Sequence, residues 1–283
     1  MKWNTLQSIY KTEEGKKEIM ALYDGVLARW PVNHETFSLP TRHGDTFIIA
    51  SGKKNSPPLV LLHGSASNAT SWVGDVEAYS QHFRVYAVDL PGEPGKSAEN
   101  RPDWHGPDFA EWLKDVLDGL NIKKSAVLGI SQGGWTALRF ATMHPERISQ
   151  LVLLAPGGVV STKLSFILKT VTLSMLGKWG VERINRIIEG KHAMHPEAAR
   201  YMEAIYTHFK MRVEKEYLFS DEELERLDMP VLFLGGEEDA LFDIGAAGER
   251  LEKHIPQLTA VLLPDMGHAL VNMPDQVMPF LMR

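Results

Sequence analysis

Residues 129–134 read Gly-Ile-Ser-Gln-Gly-Gly, between the apolar run 126–128 and the helix-forming segment 135–141. A serine between a buried strand and a helix fits the G-x-S-x-G motif, which exposes a nucleophilic hydroxyl above a sheet edge. The turn is strained, so small residues must flank it, and the helix N-terminus places a positive dipole end beside the hydroxyl. Because a G-x-S-x-G sequence can also arise by chance, the flanking strand and helix patterns decide whether the motif is functional. Because both flanks fit, we predict that Ser131 is a nucleophile.

Strand and helix patterns alternate along most of the chain. Two short strands are predicted at 34–40 and 45–50, and unalternated apolar runs typical of buried parallel strands follow at 58–64, 83–88, 126–129, 151–154, 231–234 and 260–263. Helical patterns separate them at 70–81, 107–120, 132–144, 243–253 and 269–282. This alternation predicts an α/β fold with a mostly parallel sheet and right-handed crossovers.

One interval, 156–228, carries no strand signal. It shows helical patterns at 161–176, 179–190, 196–217 and 221–227, which we interpret as a helical cap over the strand ends, where α/β sheets bind ligands. Most of its apolar residues are expected to pack within the cap and against the body, with some lining a pocket. These residues are Phe166, Ile167, Leu168, Val171, Leu173, Met175, Leu176 and Trp179.

The N-terminal residues 1–33 are predicted to be a helical extension. An apolar stripe over 5–30 begins at Leu6 and Ile9 and indicates one amphipathic helix ending before Pro31. We expect this helix to pack on the domain, and the alternative is a helix that binds a partner or a membrane surface. The core domain is then 34–155 together with 229–283, and the cap is 156–228.

Composition excludes several classes of protein. The 283 residues are 44% hydrophobic and 23% charged with a net charge of −6, and no basic run indicates a nucleic-acid partner. The chain has no cysteine, which fits a reducing compartment. With no secretory-signal pattern and no apolar run of about 20 residues, we expect a cytoplasmic protein without a membrane span.

Five motifs at predicted strand ends occur in an order that resembles the α/β-hydrolase fold family over roughly residues 34–283. They are His63-Gly64-Ser65, the loop Asp89–Ser97, the turn at Ser131, Gly236-Glu237-Glu238-Asp239 and Gly267-His268. The Asp89–Ser97 loop is similar to the family's D-x-x-G-x-G-x-S pattern with one position altered. The resemblance implies an α/β-hydrolase fold with a helical cap and a serine, acid and histidine triad in this chain order.

A serine hydroxyl needs a base, and the base needs an acid that orients it. Among the 11 histidines, His268 is the best candidate because it follows the last predicted strand, and the glycine before it lets the ring reach the serine. Asp239 follows the strand 231–234 and is the predicted acid, with Asp243 as its main rival.

The developing oxyanion needs two amide donors. The backbone N–H of Gln132, directly after the nucleophile, is one, and the N–H of Ser65 is the predicted second, with Ala66 as the alternative. The resemblance implies that His63 supports this loop. Trp72 and Trp135 are candidates for the substrate-pocket wall.

These residues predict a serine hydrolase that cleaves carboxylic esters of small, fairly apolar substrates through an acyl-enzyme. No cofactor and no metal site is expected, and the partner is a small-molecule ester. The same triad also serves lactonases, carbon-carbon bond hydrolases, amidases or peptidases and acyltransferases, and a non-catalytic small-molecule receptor is a further alternative. The sequence leaves monomer and dimer open.

Overall fold

The computed structural model describes residues 8–190, 195–212 and 214–283. The strands are β1 (His34–Thr41), β2 (Gly44–Ser51), β3 (Pro58–Leu62), β4 (Arg84–Val88), β5 (Ser125–Ile130), β6 (Ile148–Leu154), β7 (Val231–Gly236) and β8 (Leu258–Leu263). The α-helices of this part of the chain are α1 (Glu13–Leu27), α2 (Val76–Ser80), α3 (Asp108–Gly119), α4 (Gln132–Met143), α5 (Leu164–Ser174), α6 (Gly177–Glu189), α7 (Pro196–His208), α8 (Asp221–Leu224), α9 (Ile244–His254) and α10 (Pro274–Leu281).

The strands form one eight-stranded sheet in the order β1-β2-β4-β3-β5-β6-β7-β8. β2 is antiparallel to both of its neighbours, and the pairs from β4 to β8 are parallel. The central strands β3, β5 and β6 are buried almost throughout, as parallel strands covered on both faces must be. The α/β fold and the predicted strands are therefore confirmed.

Three predicted helices differ from the observed ones. The pattern at 70–81 is a 3₁₀ helix, Ala69–Gly74, followed by the short α2. The last helix, α10, begins at Pro274 rather than 269, because proline lacks the amide that a first turn leaves unbonded. The helix predicted over 196–217 ends at His208, because the next residues turn to pair with the N-terminal segment.

The N-terminal helix is shorter than predicted. Tyr10 forms a bridge with Phe209, and α1 begins at Glu13 with Thr12 as its cap, so 8–12 is not helical; Leu6 lies outside the described residues. The helix buries Ile19 and Tyr23 against the body and the cap. This buried face favours the packing interpretation over an exposed partner helix.

The cap is less buried than the sequence predicts. Helix α5 has no buried residue, and it packs chiefly against α6. An apolar stripe therefore faces solvent, and Met175 is 82% exposed. The expectation that these residues form a cap core is wrong for Ile167, Leu168, Val171, Met175, Leu176 and Trp179.

Candidate active site

The turn at Ser131 joins β5 to α4 and has a strained backbone. Ser131 has φ 50° and ψ −112°, a region that side-chain-bearing residues rarely adopt. Its N–H donates to the Leu154 carbonyl (2.9 Å), and its carbonyl accepts from Trp135 N–H (2.9 Å). A Cβ on Gly133 would lie 2.1 Å from the Leu62 carbonyl oxygen, so only glycine lets the helix approach β3 this closely. The sequence pattern thus produces the predicted sharp turn.

The three predicted triad side chains form one hydrogen-bonded chain. His268 Nε2 lies 2.9 Å from Ser131 Oγ, and His268 Nδ1 lies 2.7 Å from Asp239 Oδ2. The other Asp239 oxygen accepts the amides of Leu241 (2.7 Å) and Phe242 (2.9 Å), which fixes the carboxylate. Asp239 is 3% exposed and His268 is 5% exposed, so water is largely kept from their hydrogen bond. This arrangement suits an imidazole that accepts a proton from the serine.

Asp243, the rival acid, has a different position. It is the N-cap of α9, and its Oδ1 accepts the amide of Ala246 (3.2 Å). Such capping explains a carboxylate at that point without any catalytic role. The geometry therefore favours Asp239 as the partner of His268.

The loop after β3 runs beside the nucleophile. A Cβ on Gly64 would lie 3.6 Å from the Ser131 Cβ, so the next residue, Ser65, is close to the reacting hydroxyl. Among the described residues, no acceptor is found for the amides of Ser65 and Gln132. The Ala66 amide instead donates to Glu93 Oε2 at 2.8 Å. This bond makes Ala66 a poor alternative, and Ser65 stays the candidate donor.

Two buried side chains support this loop. His63 is fully buried, its Nε2 accepts the Leu90 amide (2.9 Å), and its Nδ1 lies 2.8 Å from the Gly64 carbonyl. Nδ1 therefore carries the proton, and burial lowers the pKa of His63 to about 4, which keeps the ring neutral. This position agrees with the supporting role that the resemblance implies.

Glu93 is a functional candidate that the sequence analysis missed. It lies between the two glycines of the Asp89–Ser97 loop, Gly92 and Gly95, and burial raises the pKa of its carboxyl to about 7. Its Oε1 and the side-chain amide of nearby Gln132 have no hydrogen-bond partner in the described part of the chain. The sequence signal that could have pointed to this segment is its length, because two residues lie between Gly92 and Gly95 where the family's pattern has one.

The two tryptophans predicted to line the substrate pocket have little or no accessible surface. Trp135 is fully buried, and its ring packs against those of Trp104 (4.4 Å between centroids), Phe109 (5.4 Å) and Phe219 (5.9 Å). A side chain with no accessible surface cannot touch substrate in this arrangement, so the prediction for Trp135 is wrong. Trp72 is 3% exposed and presents little surface to a pocket.

The cap contributes directly to the histidine loop. The Ile188 carbonyl at the end of α6 accepts the amides of His268 (3.0 Å) and Ala269 (3.3 Å). Gly190 forms a bridge with Met266, two residues before His268. The loop that carries His268 is therefore held by the end of α6 and Gly190 as well as by β8.

A second missed residue, Glu216, comes from the segment after α7. It is half-buried, and its Oε2 lies 2.5 Å from the position that a Cβ on Gly157 would occupy. Gly157 N–H donates to the Ser131 carbonyl (3.2 Å), so this carboxylate lies close to the nucleophile's backbone. Burial raises its pKa, and the charge of His268 opposes that rise.

The sheet order, the strained serine turn and the three-residue chain define an α/β-hydrolase. A family model described as the alpha/beta hydrolase family matches residues 59–279, and the chain belongs to this family.

Its relatives include esterases of Bacillus subtilis. Carboxylesterase YbfK is 33% identical over 264 residues, which cover 90% of this chain and 89% of the relative. The crystal structure of carboxylesterase CesB (YbfK) has a TM-score of 0.86 at 31% identity and covers 95% of this chain and 97% of that chain. The crystal structure of naproxen esterase (carboxylesterase NP) has a TM-score of 0.87 at 29% identity, with coverage of 96% and 99%.

Proposed function

We propose that this protein hydrolyses carboxylic esters of small, fairly apolar substrates, with Ser131 as nucleophile, His268 as base and Asp239 as the acid that orients it. The main support for this proposal is the hydrogen-bonded chain that runs from Ser131 Oγ through both ring nitrogens of His268 to Asp239. Similarity to carboxylesterases over most of the chain supports the same reaction class.

The reaction follows from this geometry. Ser131 Oγ attacks the ester carbonyl carbon while His268 Nε2 takes its proton, and the amides of Ser65 and Gln132 bind the oxyanion of the tetrahedral intermediate. When the intermediate collapses, the C–O bond to the alcohol breaks, and His268 returns the proton to the leaving oxygen. A water then attacks the acyl-enzyme by the reverse sequence and releases the acid.

Other features belong to the same proposal. Residues 156–228 act as a cap over the site of a core formed by 34–155 and 229–283, and 1–33 is an extension whose described part, residues 8–33, packs on both. No cofactor enters the scheme. In the described residues, no helix has the length and apolarity that crossing a membrane needs; cytoplasmic location stays a prediction from the sequence.

The test is release of p-nitrophenol from acetate, butyrate and octanoate esters by the wild type and by Ser131→Ala. We expect turnover by the wild type and a loss of several orders of magnitude in kcat in the variant, because the triad acts as a unit. A folded Ser131→Ala that keeps its rate would refute the assignment of the nucleophile. Negligible turnover by the folded wild type would instead favour an acyltransferase, a more specialised hydrolase or a receptor.

A further inference from the structure

The carboxylate of Glu216 lies close to the backbone of Ser131 and has no hydrogen-bonding partner among the described residues. In the part of the chain that the structure describes, neither a hydrogen bond nor an ion pair involves its oxygens. A half-buried carboxylate loses hydration that nothing here replaces. It is therefore able to interact with a ligand.

The segment around Glu216 is fixed in place by two residues that follow it in the chain. The Tyr217 carbonyl accepts the indole N–H of Trp135 (2.9 Å), and the Phe219 amide donates to the Gly158 carbonyl (2.9 Å). These bonds attach the segment to α4 and to the loop after β6, which are the two elements that flank Ser131. Glu216 is thus positioned by the same framework as the nucleophile.

The space that the carboxylate occupies is available only because residue 157 is glycine. With Oε2 2.5 Å from a Cβ position on Gly157, any other residue there would displace the carboxylate. The close approach brings a negative charge beside the backbone that binds the Ser131 carbonyl. Within the described part of the chain, His268 is a group whose charge acts on this carboxylate and opposes the rise in its pKa.

We propose that Glu216 is a specificity-determining residue that favours esters bearing a cationic or hydrogen-bond-donating group and disfavours esters bearing a carboxylate. The inference rests on the proposed esterase function. An ionised carboxylate attracts a nearby cation and repels an anion, and partial burial makes the interaction stronger than at an open surface. A neutral ester, with no charge for Glu216 to act on, is the reference.

The test compares isosteric ester pairs in which a quaternary nitrogen replaces a quaternary carbon. Acetylcholine and 3,3-dimethylbutyl acetate place the charge on the alcohol side, and glycine betaine methyl ester and methyl 3,3-dimethylbutanoate form a close pair for the acyl side. For each pair, kcat/KM is measured at pH 8.5 with the wild type, Glu216→Gln and Glu216→Ala. The matched control is Glu252→Gln, on the exposed face of α9.

For each pair, the kcat/KM of the cationic ester is divided by that of the neutral ester. We expect this ratio to fall about fivefold or more in both Glu216 variants for at least one of the two pairs, which is the scale of a partly solvated ion pair. The control should leave the ratio unchanged. The kcat/KM for monomethyl glutarate, which bears a carboxylate, should rise relative to that for dimethyl glutarate in the same two variants. If the variants hydrolyse the neutral esters and both cationic ratios stay within about twofold of the wild type, the inference is refuted. Failure of the wild type on every ester would refute the proposed function itself.

Discussion

Glu93 provides the sharpest test of how burial acts on this site. Its carboxyl is 1% exposed, and loss of hydration raises its pKa from the usual 4.5 to about 7. The Ala66 amide, Arg101 and Arg212 oppose this rise without cancelling it. At about 1.36 kcal/mol for each tenfold change in the proton-binding constant, the difference corresponds to about 3 kcal/mol.

The sign follows from proton binding in the two states. Between pH 4.5 and 7 the folded chain keeps the Glu93 proton and the unfolded chain releases it, so the free energy of unfolding falls as the pH rises. The loss is complete above pH 7 and absent below 4.5. Glu93→Gln removes this titration and keeps an oxygen that can accept the Ala66 amide.

The measurement is urea unfolding of the wild type and Glu93→Gln at several pH values from 4.5 to 8. We expect the stability of the variant relative to the wild type to increase by about 3 kcal/mol over this range. Other groups that titrate, such as His63 and Asp89, are common to both proteins and cancel in the difference. For the control Glu252→Gln, at an exposed position, the difference in the free energy of unfolding from the wild type should not change with pH over this range. A flat difference for Glu93→Gln as well would refute the argument that burial keeps this carboxyl protonated.

Two further predictions use pairs of similar residues. Asp239→Asn should lower kcat on p-nitrophenyl butyrate by about 10³-fold or more, because it disturbs the tautomer of His268. Asp243→Asn should leave kcat unchanged. If Asp243→Asn instead causes the larger loss of kcat, Asp243 is the acid that orients His268. Gly190→Ala should lower kcat about tenfold or more, because its Cβ would lie 3.0 Å from the Gly267 amide nitrogen and push the His268 loop. The control is Gly177→Ala, which also places a side chain at a positive φ but meets no atom within 4 Å. This control should change the stability and leave kcat unchanged. If both variants have the same kcat, the role of Gly190 is contradicted.

That Ser131, Asp239 and His268 come together could be predicted because each lies at or shortly after the carboxyl end of a strand. The carboxyl ends of parallel strands meet at one edge of a sheet, so Ser131 after β5, Asp239 after β7 and His268 after β8 had to come close. The choice between Asp239 and Asp243 needed the structure, because both lie in one acidic turn and only side-chain direction separates them.

Glu216 could not be predicted by the same rule. The helical pattern over 196–217 placed it on a helix, whereas α7 ends at His208. The path of the following segment depends on the bonds of Tyr217 to Trp135 and of Phe219 to Gly158, which are contacts between distant parts of the chain. Local pattern carries no information about such contacts, and the same limit explains why Trp135 was assigned to the pocket wall.

Under the proposed function, the contacts of residues 156–228 predict that specificity and rate are coupled in this protein. The cap end at Ile188 holds the amide of His268, and the segment that returns from α7 carries Glu216 to the nucleophile. Helix α7 is in turn attached to the N-terminal extension, where Lys11 N–H donates to the His208 carbonyl at 2.7 Å. A change that shifts the cap to admit a different substrate would therefore also shift His268 relative to Ser131. Misplacement of a reacting group by about 1 Å can lower a rate about a hundredfold, so substitutions in the cap should alter kcat together with KM. A change confined to the Glu216 carboxylate should instead act mainly on the discrimination between charged and neutral esters.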